Sequence, residues 1–165
     1  MKIDSSLVSE LSIAGAYTML LFLSKQVTVT AGKLGKQTFP RGYYTYTGSA
    51  LGNGANLKHR ISRHLKNEKR MFWHIDYLLA DENVSVEAVI AAETHENMEC
   101  TINSYLKSES GAKVLVKGFG ASDCKKHCGS HLLYFPEISE TKGLLQKLVA
   151  HLQSLSCILS VIVIK

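Results

Sequence analysis

Proline is scarce in this chain of 165 residues, occurring twice, and the twelve glycines show no fixed period. Collagen-like and low-complexity architectures are thereby excluded. Four cysteines (Cys100, Cys124, Cys128, Cys157) are too few for a disulfide scaffold at this length. No apolar run is a persuasive membrane span: 14–23 is short, and 148–164 is interrupted by His151, Gln153, Ser154, Ser156 and Ser160. Asp4 and Glu10 break up the N-terminus, so no secretory start is expected. These absences point to a reducing cytoplasm, no membrane partner, and cysteines that are thiols or metal ligands. The hydrophobic fraction, 45%, is ordinary, which excludes intrinsic disorder and suits one compact domain with a real core.

Charge is unevenly placed. The chain carries +5, and the stretch 56–70 alone carries the same surplus through Lys58, Arg60, Arg63, Lys66, Lys69 and Arg70 against Glu68. Positive charge gathered on one element is the footprint of a polyanion partner, nucleic acid foremost. The competing reading is a solvated helix face.

Periodicity gives the elements. Apolar residues over 13–23, the alternating run 26–30 and the aromatic, β-branched run Tyr43-Tyr44-Thr45-Tyr46-Thr47 each predict a strand. Short connections favour joining these three as an antiparallel meander, with the glycine-punctuated 32–42 as loop. Gly52-Asn53-Gly54 predicts a turn, and Asn56 caps a helix whose buried stripe is Leu57, Ile61 and Leu65. Residues 72–80 read as a short helix or extended segment. Trp73 and Ile75 are placed in the core, with His74 and Asp76 at a polar rim. Strands are expected at 84–92, 114–116, 131–135 and 158–164, and helices at 96–107 and 141–155. The sum is an α+β fold, a mainly antiparallel sheet flanked by helices. It forms a single domain over 1–165, with a core over about 13–135 and a helix-and-strand extension over 139–165.

One ordered pattern carries chemistry. Gly15-Ala16-Tyr17 is followed by Tyr46-Thr47-Gly48-Ser49-Ala50, then by Asn56-Leu57-Lys58-His59-Arg60 with His64 one turn on, and later by Glu99. This resembles the GIY-YIG nuclease superfamily. The longer matches Gly32-Lys33-Leu34-Gly35, Trp73-His74-Ile75-Asp76-Tyr77-Leu78-Leu79 and Gly118-Phe119-Gly120-Ala121-Ser122-Asp123-Cys124 resemble a GIY-YIG-like domain family sometimes fused to endonuclease III. The resemblance implies a Mg²⁺- or Mn²⁺-dependent endonuclease acting on nucleic acid, with DNA the favoured substrate over RNA and DNA repair as a setting. It implies a motif tyrosine, Tyr17 or Tyr46, as general base, Arg60 on the transition state and Glu99 on the metal. A non-catalytic binding module, or a domain that docks on a repair protein, is the alternative on the same fold.

The residue types suit phosphodiester hydrolysis on their own chemistry. Cleavage needs a base for water and positive charge for the pentavalent phosphate. Tyrosine titrates near 10, so it needs help to act as a base; Arg60 supplies charge and a fork that fits phosphate oxygens. His64 shares the helix face of Arg60 and is placed to reach the same phosphate or relay a proton. Lys58, Arg63, Lys66, Lys69 and Arg70 are the candidate backbone contacts. Cys124, Cys128 and His131, with Cys100 as a fourth ligand, have a spacing zinc can use, although it is not a paired CxxC signature. Packed free thiols are the favoured reading there, zinc the alternative, and Asp123 is read as a loop cap.

Overall fold

The computed structural model describes residues 14–52, 56–108, 111–136, 142–155 and 157–164. Ile13, Asn53, Gly54 and the first residues of the 139–165 extension lie outside them. The elements run β1 (Gly15–Leu23), β2 (Val27–Thr30), a 3-10 turn, β3 (Lys36–Phe39), β4 (Gly42–Ala50), α1 (Leu57–Leu65), α2 (His74–Leu79), β5 (Val84–Glu93), α3 (Glu99–Ser108), β6 (Leu132–Phe135), α4 (Lys142–Ser154) and β7 (Ile158–Val163). The fold is α+β: five antiparallel strands in the order β6-β4-β1-β5-β7, with helices on both faces. No helix among the described residues is long and apolar enough to cross a membrane.

β1 is central because its sequence is apolar on both sides. Eight of its nine residues are buried, and alternation sends Tyr17, Met19 and Leu21 to one face and Ala16 and Leu20 to the other. The first face is covered by α1 and α2 through Leu57, Ile61, Leu65, Ile75 and Leu78. The second is covered by α3 and α4 through Ile102, Leu106, Leu144, Leu148 and Leu152. The C-terminal β7 forms one edge of the sheet, paired with Ala88–Glu93.

Two strand expectations are corrected. The first three predicted strands do not make one meander, because both edges of β1 are taken by β4 and β5. β2 instead pairs with β3, inside the stretch read as loop, in a separate two-stranded sheet. The 114–116 segment is not a strand. Only Lys113 bridges, to Tyr134, and Leu115 is exposed, so three residues offer no ladder worth extending.

Candidate active site

The β1–β4 ladder sets the register from which the site grows. Tyr17 lies opposite Gly48, and Met19 opposite Tyr46, so both tyrosines face the α1 side at the end of the sheet. Gly48 is required by close approach, since a Cβ there would overlap the Tyr17 hydroxyl. Gly120, at φ +67°, holds the 118–131 loop against Tyr46, where a Cβ would come within 2.7 Å of the ring. Around this end opens a cleft of about 520 Å³ lined by Tyr17, Tyr46, Arg60, Trp73, Glu99 and Asp123, among others. Four of the five residues expected to share a site therefore line one wall or another of a single cavity, from four different elements.

The fifth, His64, is buried behind Tyr17 rather than in the cleft. Its Nε2 lies 2.8 Å from the Tyr17 hydroxyl and its Nδ1 lies 3.2 Å from Asp76 Oδ1. Asp76 is the hub of this arrangement. Its carboxylate also accepts two bonds from Arg63 (3.0 and 2.9 Å) and the backbone N–H groups of Phe72 and Trp73 (3.0 and 2.9 Å). Burial alone would raise the Asp76 pKa, yet His64, Arg63 and the two amides outweigh it and hold the carboxyl well below the usual range. Burial shifts His64 down, Asp76 notwithstanding, which favours the neutral imidazole. An ionised Asp76 at Nδ1 fixes the Nδ1–H tautomer and leaves Nε2 to accept the Tyr17 O–H. Both phenols are pushed up, chiefly by burial. For Tyr46 the Glu99 charge adds to this, and Arg60 opposes it.

Arg60 faces the cleft with its guanidinium 4.2 Å from the centre of the Trp73 ring, and Arg63 lies at the same distance from that ring. Phe72 stands beside them at the cleft, its ring edge-on to Trp73 at 4.9 Å and its surface 71% exposed.

Glu99 begins α3 on the opposite face of the sheet and reaches the cleft around the end of β4. Its Oε2 accepts from Ser49 Oγ at 2.8 Å, and its Oε1 makes an ion-pair contact with His131 Nδ1 at 2.8 Å, too poorly aligned to count as a full hydrogen bond. Behind His131 is a second constellation. The sulfurs of Cys100, Cys124 and Cys128 and a ring nitrogen of His131 all lie within 4.8 Å of one another, a Cys3His cluster that can hold a metal ion. The 2.8 Å contact between His131 and Glu99 makes this cluster and the cleft neighbours through one side chain.

The basic segment is not used uniformly. Arg63 is committed to Asp76 and to the Arg70 carbonyl (2.7 Å), and Lys69 donates to the His64 carbonyl. Lys66 and Arg70 are exposed and Lys58 is half-buried, so these three remain accessible to solvent. Asp76 is fully buried, against the expectation of a polar rim. The signal was present in Trp73-His74-Ile75-Asp76, but only the pairing of α2 with α1 turns the acid inward. His74 accepts from Gly120 N–H at 3.1 Å, and Asp123 lines the cleft. Ser49 and Trp73 were legible as motif neighbours, though not as contacts of Glu99 and Arg60.

Comparison with curated proteins and with solved structures finds no match. A family model does match, over residues 16–154, spanning every residue of the cleft and the cluster. The chain belongs to the family described as domain of unknown function DUF123.

Proposed function

We propose that the protein is a divalent-metal-dependent phosphodiester hydrolase of the GIY-YIG type acting on nucleic acid, DNA in the first instance. The observation that carries the reading is the convergence of Tyr17, Tyr46, Arg60 and Glu99 on one cleft, with a hydrogen-bonded His64–Asp76 pair behind Tyr17. A neutral phenol this deeply buried is a poor base by itself. With His64 as acceptor, Tyr17 takes a proton from water while passing its own to Nε2, and the imidazolium formed faces the Asp76 carboxylate. Arg60, fixed on Trp73, meets the charge that develops on the phosphate oxygens. Lys58, Lys66 and Arg70 hold the flanking backbone, and Phe72 offers a face on which a base stacks.

Mg²⁺ or Mn²⁺ fits the Glu99 corner. Glu99 and Asp123 are the cleft carboxylates, and each oxygen of Glu99 keeps a lone pair beyond its Ser49 or His131 contact. One or two carboxylates suffice for such an ion, so Glu99, with Asp123 nearby, would hold it, and it would supply positive charge against the phosphate oxygens. The soft donors of the Cys3His cluster suit zinc instead, and that ion takes no part in bond cleavage.

The test is metal-dependent nicking of branched, damaged and single-stranded DNA by the wild type and by Glu99→Ala. Cleavage by the wild type alone is the expected result. Cleavage by both places the activity elsewhere, and salt-sensitive binding without cleavage by either leaves a non-catalytic module.

A further inference from the structure

Cys124, Cys128 and His131 sit in a loop that folds back tightly onto α3. Gly118 N–H donates to the Gly129 carbonyl (2.7 Å), His131 N–H to the Phe119 carbonyl (2.8 Å) and Asn103 Nδ2 to the Ser130 carbonyl (2.8 Å). His127 is the one non-glycine residue at positive φ among the described residues, and Gly118, Gly120 and Gly129 share that region. The loop is thus bent so that three side chains meet Cys100 from α3. Cys100 Sγ lies 3.4 Å from Cys124 Sγ, too far for a disulfide, and 3.9 Å from His131 Nε2. A tetrahedral zinc with Zn–S of about 2.3 Å and Zn–N of about 2.0 Å has ligand–ligand edges of roughly 3.5–3.8 Å. The cluster brackets those edges.

The second observation is the direction of His131. Its Nε2 is turned to the sulfurs and its Nδ1 to Glu99 Oε1, the arrangement in which a carboxylate sets the tautomer and orientation of a metal-binding imidazole. The same Glu99 accepts from Ser49, next to Gly48 at the cleft. The loop that carries the ligands also supplies Gly120, Ser122 and Asp123 to the cleft wall.

We propose that Cys100, Cys124, Cys128 and His131 hold one structural zinc ion, and that Glu99 is a positioning residue for it, orienting His131 while its other oxygen faces the cleft. Zinc loading then fixes the 118–131 wall and the Glu99 carboxylate together. The proposal rests on zinc being the cluster's ion and is independent of whether the cleft cleaves nucleic acid.

The full chain, reduced and stripped of metal, is titrated with Zn²⁺ against a chromophoric chelator and separately with Co²⁺. One equivalent of tight binding and the intense thiolate–cobalt spectrum of a tetrahedral site are expected. Cys128→Ser is expected to abolish that spectrum and Cys157→Ser to leave it intact. Absence of a stoichiometric site, or a spectrum indifferent to Cys128→Ser, overturns the zinc assignment. Should Cys128→Ser not fold, thiol titration of the wild type decides: zinc is expected to shield three of the four thiols, and shielding none overturns the site. Glu99→Gln is expected to keep the tetrahedral spectrum while weakening zinc affinity 10–100-fold. Unchanged affinity overturns the role of Glu99 while leaving the ion in place, and neither readout depends on nuclease activity.

Discussion

Replacing Asp76 by Asn removes one charge and almost no volume, which isolates the electrostatics of the buried hub. In the wild type the carboxylate accepts from Arg63 twice, from two backbone amides, and faces His64, with no exposed surface of its own. Taking one partner from a buried ion pair costs about 3–5 kcal/mol. Arg63 is 26% exposed and regains part of its hydration, so the lower end, about 3 kcal/mol, applies. For a domain of this size that loss lowers Tm by about 6–12 °C. The sign of the pH dependence follows from the depressed carboxyl. Its stabilisation is complete above the ordinary aspartate value of 3.8 and drains away as pH falls below it, because the unfolded chain takes up the proton first. Thermal unfolding of both proteins at pH 7 and pH 3 checks this. The gap should be widest at pH 7 and narrower at pH 3. A Tm for the Asn variant within about 1 °C of wild type, or a gap of the same size at both pH values, would refute the reasoning.

Further outcomes are expected. Tyr17→Phe and His64→Asn should each slow cleavage by about 10²–10⁴-fold, the range for losing a positioned proton acceptor. Because burial lowers the His64 pKa from 6.5, the acid limb of the wild-type rate profile should lie below that pH; a limb above it removes His64 from the relay. Replacing Lys58, Lys66 and Arg70 together by Ala should flatten the dependence of log affinity on log salt by up to about 0.9 per lost duplex phosphate contact. Arg63→Ala should show itself first as lost stability, measurable by denaturant titration. Phe72→Ala should weaken binding to single-stranded DNA by about 1–3 kcal/mol per base stacked, with Phe72→Trp restoring it; equal fluorescence-anisotropy affinities for all three proteins would remove the stacking contact.

The sequence by itself determined most of the elements, β3 and the 114–116 segment excepted, and named four residues that line one cleft. Apolar periodicity located β1, α1, α3 and α4, because local pattern and burial obey the same alternation. The order of Tyr17, Tyr46, Arg60, His64 and Glu99 named residues that the fold gathers. Tertiary structure alone decided the pairings. That β2 joins β3 depends on both sides of β1 being occupied, which no local window records. That Arg63 and Lys69 turn inward while Lys66 stays in water depends on where Asp76 and the His64 carbonyl lie. Asp76 itself, twelve residues from His64, becomes the hub only when α2 packs beside α1. Likewise Cys100 and Cys124 lack a close sequence spacing, since their meeting is made by a loop bending back on a helix. Composition and period report what each residue prefers to bury; which partner it finds there is a property of the assembled chain.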